Sequence, residues 1–481
     1  MNATSGGVLE STELATAGSS ADVVRRSGLP FGIVVAAIVA ISIAARSGIG
    51  LTLSLLALLV GMAASVGWLS SAGRWCLATT LLLPWLVIRD NTWLAISIVG
   101  TVVVVLVLAA AASATRQSMT NMSLGAVFRI GAVPAAKIDE SALGARAENQ
   151  QNLLAVVRGV LLASPVVLLF WWLLASADDV FASIVNFSSV DLSVVPVGRI
   201  GMFVLLSPFL VAIGTYAATR RTPRAKKPMA LAAKYFGPVE STIILGAVSS
   251  LFAVFVALRV ATLGRPLDEA VWRSEVRSGF FQLLWVAALT VLLVLAIHQM
   301  SGERGLITRV RRLGWLAVAL AAAIDVLAMV RIAEYVERSF QTPLRFWSFG
   351  FGLWLLVLLG LTALRLSNVR VEAKWFTAAA LTSWMVFLFA LGVINPDQRI
   401  AQHNFDNAPT GENEWIAVQP LMWLSEDATD VIVENIEVLR PMPNDRFVRV
   451  RDHLCSTSRE GGWRAWHLSR NAASDDVIDL C

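Results

Sequence analysis

Charge is what this sequence lacks most. Asp, Glu, Lys and Arg make up 15% of its 481 residues, against about 25% in an average soluble protein. Cysteine is nearly absent at three residues, which excludes a secreted scaffold stapled by disulfides. Histidine numbers four, and no two have metal-ligand spacing. There is no phosphate-cradling GxxxxGK[ST], no GxGxxG opening a helix, no HExxH, no CxxC and no GxSxG elbow, so neither a catalytic site, nor a cofactor, nor a metal is read from the sequence. What is present is apolar: 56% of residues are hydrophobic and the mean hydropathy is +0.68. A chain that rich in buried-type residues is neither disordered nor soluble. It is read as all-α, a polytopic transmembrane helical bundle, because a chain in lipid must satisfy every backbone group internally.

Eleven runs are long enough to cross a bilayer: Leu29 to Ala45, Ile49 to Leu69, Trp75 to Ile88, Thr92 to Ala114, Leu153 to Ala177, Pro196 to Ala218, Val239 to Leu263, Phe280 to Met300, Leu313 to Tyr335, Leu344 to Leu364 and Trp375 to Ile394. The third is short and carries Pro84. Residues 1–28, rich in Ser, Ala, Gly and Thr, read as a disordered tail. Residues 29–394 form the membrane domain, and residues 395–481 form a small helical tail with 15 acidic and 8 basic side chains.

Lys and Arg set the expected sidedness. With the N-terminus in the cytoplasm, the inner segments hold twenty basic residues, including all five lysines, and the outer loops hold six. The tail then lies outside a bacterial cytoplasmic membrane. There Cys455 and Cys481 either form a disulfide or remain two thiols, while Cys76 sits in an apolar span. The excess of basic residues follows from topology, and no nucleic-acid partner is implied. The loop Arg220 to Lys234 offers positive charge to anionic lipid, although its first role is to fix topology. No protein partner can be named.

Several segments carry a family resemblance. They are Ala177-Asp178-Asp179-Val180-Phe181, Glu275 to Leu283, Phe340-Gln341-Thr342-Pro343-Leu344-Arg345, Asn395-Pro396-Asp397 with Ile400, Ala401 and Asn404, and Trp463 to Arg470. Over roughly Leu153 to Arg470 the chain resembles a family of uncharacterised bacterial polytopic membrane proteins, the domains of unknown function of the four-one-five-three and four-one-seven-three type. Gln341 stands where that family usually has Gly, and His467 where Asn is usual. The resemblance implies a multi-span protein with a small helical tail and brings no activity with it.

Local physics gives these motifs structural roles. Asn395 is expected to cap a helix with Pro396 at its first position and Gln398 completing a capping box. Ile400, Ala401 and Phe405 then form a stripe on the membrane surface. Thr342-Pro343 repeats the device, and Asp178 caps an interfacial helix whose Phe181 faces lipid. In the tail, Trp415 to Leu424 and Ser425 to Leu439 read as two helices, the second capped by Ser425, and Trp463 with Trp466 lies on a third.

Ionisable residues inside spans are candidates for function. Asp325 lies near the middle of its span, with Arg158, Arg199 and Arg259 on other spans as potential partners, and Arg331, Glu334 and Arg338 have the spacing of a local ion network. The sequence therefore favours a transporter-like or permeation protein built around Asp325. The alternative is a membrane scaffold or sensor component acting through its exported tail. An enzyme acting on a lipid-linked substrate through Asp178 and Asp179 ranks last, because their loop has no Lys or Arg to clamp phosphate.

Overall fold

The computed structural model describes residues 48–115, 148–177, 181, 237–262, 269–300, 308–338, 340–367, 374–408, 418–439, 444–457 and 466–476. All regular structure among them is helical: α1 (Ile49–Val66), α2 (Ser71–Thr79), α3 (Trp85–Ile88), α4 (Thr92–Thr115), α5 (Glu148–Ala177), α6 (Pro238–Thr262), α7 (Glu269–Met300), α8 (Thr308–Arg338), α9 (Pro343–Ser367), α10 (Lys374–Ile394), α11 (Pro396–Asp406), α12 (Val418–Leu421), α13 (Thr429–Glu434), α14 (Ile436–Leu439), α15 (Asn444–Thr457) and α16 (Leu468–Asp476), with 3-10 turns at Thr80–Leu82 and Glu426–Ala428. Nine segments among the described residues are long and apolar enough to cross a membrane. The expected spans Leu29 to Ala45 and Pro196 to Ala218 lie outside the described residues. So do Asp178, Asp179, Cys481 and the basic loop from Arg220 to Lys234.

The surfaces of these helices suit lipid. Leu161, Leu168, Val254, Leu353 and Val357 are each about half exposed or more, a pattern that water penalises and acyl chains do not. This is an integral, multi-pass membrane protein.

The chain divides into two compact units. The first comprises residues 1–119, 341–343 and 385–481; the second comprises residues 120–340 and 344–384. In the second, α5 and α8 each pack on both α6 and α7, which closes a ring of four helices. Phe170 meets Phe252 edge to face at 5.1 Å. Phe181 meets Phe255 in the same way at 5.4 Å and is 2% exposed. The expectation that Phe181 faces lipid is therefore corrected: an aromatic partner on α6 draws it into the core.

In the first unit, α1, α2–α3 and α4 pack around Leu59, Cys76, Leu82, Leu86, Ile98 and Val102. The short third run is among the nine segments long and apolar enough to cross: Ser71–Ile88 runs through a 3-10 turn and Pro84. Its start is set by Ser70, whose Oγ accepts from Gly73 N at 2.9 Å. Gly67 before it takes φ +93°, and a Cβ on Gly73 would lie 2.3 Å from Gly67 O, so this turn requires glycine at both positions. The end of α10 closes on α3, where Phe389 packs edge to face on Trp85 at 5.4 Å and Gly392 lies against the indole.

Candidate functional site

Past Ile394 the chain reverses at Asn395, which adopts φ 55°, the left-handed conformation that Asn tolerates better than most residues. Pro396 opens α11 as expected, but Asn395 makes no side-chain cap. Its amide instead donates to Asp427 O at 3.3 Å and to Gln398 Oε1 at 3.1 Å. Gln398 in turn donates to Asp430 at 2.9 Å rather than completing a capping box. The stripe of Ile400, Ala401 and Phe405 is buried within the unit rather than presented outward.

Asp397, 3% exposed, is the centre of a polar cluster. One oxygen accepts from Asn91 Nδ2 at 2.8 Å, and the other accepts from Ser425 N at 3.0 Å and from Ser425 Oγ. Ser425 is thus spent on Asp397 and caps nothing, and the expected helix after it becomes a 3-10 turn followed by α13 and α14, interrupted at Asn435. The apolar positions Val431, Ile432 and Leu439 still face inward. Trp466 precedes α16, is 39% exposed, and its carbonyl accepts from Ile49 N at 3.3 Å. Trp463 lies outside the described residues.

The loop between α3 and α4 supplies the other half of the cluster. Arg89 donates to Gly392 O at 3.1 Å, and Asp90 N donates to Asp427 Oδ2 at 3.0 Å. Arg470 from α16 joins two carboxylates: its Nε donates to Glu426 at 3.0 Å and its Nη2 to Asp90 at 2.9 Å. His467, fully buried, brings Nε2 to 3.5 Å from the other oxygen of Asp90. Gln341 exchanges two hydrogen bonds with the Asn404 side chain, at 2.7 and 3.0 Å. The beginning of α1, the α3–α4 loop, residues 341–343 and the tail therefore share one face of this unit.

Titration in the cluster is displaced from ordinary values. Burial raises Glu426 to about 8, helped by its hydrogen bond to Asp90 and by the charge of Asp90, against the pull of Arg470. Burial also opposes ionisation of Asp90, but the bond from Glu426 and the positive charges of His467 and Arg470 outweigh it and hold Asp90 low. The two carboxyls titrate as a pair, with Glu426 raised and Asp90 lowered. Asp427 rises to about 7 through burial and the charges of Asp397 and Asp90, despite Ser469 and Arg89. Asp397 is raised by burial even with its three donors.

A cavity of about 410 Å³ opens against this cluster, lined by Asp90, Asp397, Glu426 and Arg470 among its polar groups and by Trp93 and Trp423 among its apolar ones. His453 also lines it, its imidazole kept low by burial. Among the described residues no cluster of three metal-ligating side chains occurs.

The residues singled out from sequence fare differently. Asp325, in the second unit, is fully buried, and neither carboxylate oxygen has a hydrogen-bond partner among the described residues. A Cβ on Gly352 would lie 3.4 Å from Asp325 Oδ1; of the cations expected as its partners, Arg199 and the side chain of Arg158 lie outside the described residues. Glu334 is exposed, and no ion pair joins it to Arg331 among the described residues. Cys455 is disulfide-bonded, whereas Cys76 is a buried free thiol. Sequence reasoning passed over Asp90 and Asn91, and it read Glu426 and Asp427 only as first-turn acids after Ser425 and Arg470 only as the end of a terminal segment. The signal available for them was Arg470 at the end of the Trp463 to Arg470 segment, and Asn91 two residues after Arg89 at the head of a span.

No curated protein and no solved structure shows significant similarity. The family described as "Domain of unknown function (DUF4153)" matches residues 75–435, three quarters of the chain, a stretch that includes both Asp90 and Glu426. The chain belongs to the DUF4153 family, whose function is unknown.

Proposed function

We propose that this protein is a membrane-embedded sensor or scaffold component, and that its working surface is the face formed by the tail and the α3–α4 loop. The observation that carries this reading is the cavity beside the Asp90–Arg470–Glu426 cluster. Ligand sites are typically concave, of a few hundred Å³, with a few convergent polar groups and displaced titrations. The distribution of Lys and Arg supports an extracytoplasmic position for this face. A thermal-shift survey of the purified full-length chain against polar small molecules of each charge class tests the reading. At least one class should raise the midpoint in the wild type and fail to do so after Leu421→Trp, which fills the cavity. A survey without any such ligand overturns it.

A permeation role is the second reading, favoured by the fully buried Asp325 carboxylate without a partner among the described residues. Proteoliposomes carrying the wild type should then dissipate a pH gradient, and those carrying Asp325→Asn should not. Equal leakage from both removes this reading.

A further inference from the structure

We propose that the cavity of the first unit binds a pyranose sugar ring, free in solution or carried as the headgroup of a glycolipid. The assignment rests on the cavity reading above and names the ligand chemistry.

Charged groups on the polar wall are already matched with one another. Arg470 donates to both Asp90 and Glu426, and the buried His467 brings Nε2 to 3.5 Å from Asp90. Glu426, raised to about 8, carries its proton at neutral pH beside an ionised Asp90 and a cationic Arg470. An ionic ligand has to break these pairings, whereas a neutral one leaves them intact. Hydroxyl groups suit such a wall, because one hydroxyl both donates to a carboxylate and accepts from a guanidinium. The protonated carboxyl of Glu426 answers with both roles itself. Thr92, exposed and lining the same cavity, adds a further hydroxyl.

Two indoles form the apolar side. Trp93 and Trp423 line the cavity and are 45% and 58% exposed. The membrane alone does not account for both. Trp93 opens the membrane-crossing α4, where Trp is favoured, but Trp423 belongs to the tail, between α12 and the 3-10 turn that carries Glu426. Partly uncovered indoles beside a polar wall call for a ligand with one apolar face and one polar edge. A pyranose has both: a flat side of axial C–H groups, and a rim of equatorial hydroxyls around it. Indole rings stack on the flat side while the rim reaches carboxyl and guanidinium. An acyl chain lacks the rim, and a linear polyol lacks the face. The cavity volume of about 410 Å³ lies within the range of small-molecule sites.

Calorimetric titration of the full-length chain, purified in a detergent without a sugar headgroup, tests the assignment. Glucose and N-acetylglucosamine are the probes, and sorbitol is the open-chain control. The thermal midpoint in nanodiscs with and without a glucosyl diacylglycerol provides the lipid arm. At least one pyranose should bind, and sorbitol should bind at least about tenfold more weakly. Trp423→Ala should weaken pyranose binding about tenfold and Trp423→Phe about two- to threefold. Neither should move the ligand-free midpoint, since the side chain is largely exposed. Raising salt from about 0.05 to about 0.5 M should change the affinity less than about twofold, because a neutral ligand forms no ion pair. Binding of the free sugars assigns a soluble ligand, and a midpoint raised only by the glycolipid assigns a headgroup; either result supports the proposal. Equal binding of sorbitol, or pyranose binding that Trp423→Ala leaves intact, overturns the sugar assignment. Occupation of the cavity by a charged or aromatic compound in place of any sugar overturns it too and leaves the cavity reading intact. If no probe of any class binds, both fall.

Discussion

Asn91 hydrogen-bonds in two directions at once: its Oδ1 accepts from Leu94 N at 2.8 Å, capping the membrane-crossing α4, and its Nδ2 donates to the buried Asp397 at 2.8 Å. One side chain thus ties the start of a span to the first helix of the tail. Removing it loses a cap, worth about 1 kcal/mol, and leaves a buried acceptor short of a donor, worth about 1–3 kcal/mol. Asn91→Ala should destabilise the first unit by about 2–4 kcal/mol on that account, measured as a drop in thermal midpoint of the detergent-solubilised chain. An unchanged midpoint would show that the bridge carries no weight.

The cluster also sets a pH dependence. Glu426 rises from 4.5 to about 8 and Asp427 from 3.8 to about 7 on folding. Between those limits the folded state holds more protons than the unfolded one, so stability falls as pH increases. The depressed Asp90 acts with the opposite sign, but only below its ordinary value of 3.8. The tail should therefore resist proteolysis best near pH 4 and lose protection steadily towards pH 8. Glu426→Gln should flatten that slope. Protection that grows from pH 5 to 8 would contradict the assignment of the proton.

The spans were legible in the sequence for a physical reason. Lipid forces each crossing to be a continuous helix of about twenty apolar residues, and a run such as Thr92 to Ala114 has no other way to satisfy its backbone. The broken span around Pro84 was the least legible, because the apolar run from Trp75 to Ile88 is short and carries a proline. The cluster was not legible, because its members are distant in sequence: Arg470 and Asp90 are 380 residues apart. Local rules also misled where long-range partners won. Asn395 and Ser425 have the chemistry of helix caps, yet the Asp427 carbonyl and the Asp397 carboxylate take their side chains. Phe181 gave no sign of Phe255, which pulls it out of lipid.

Gly392 gives a packing test with an internal control. A Cβ there would lie 2.4 Å from the Trp85 ring, whereas one at Gly100 in α4 meets nothing within 4 Å. Gly392→Ala should destabilise by about 1–3 kcal/mol through overpacking. Gly100→Ala should stabilise by about 0.5–1 kcal/mol, since Ala loses less entropy in a helix. Parallel thermal melts of the two variants distinguish close approach from a general intolerance of substitution.

The disulfide of Cys455 makes the last prediction. Cys76 is free and buried, and the sequence holds one further cysteine, Cys481. A Cys455–Cys481 bridge would close a loop across α16, the helix that delivers His467 and Arg470 to Asp90. A loop of that size contributes about 3–4 kcal/mol on the chain-entropy account. Reductant should therefore lower the thermal midpoint of the wild type, Cys455→Ser should reproduce the drop, and reductant should then have no further effect. Because the bridge restrains the helix that carries Arg470, its loss should also shift the pH profile of proteolysis towards that of Arg470→Ala. A reduced protein with an unaltered midpoint and profile would show that α16 is held by its polar contacts alone.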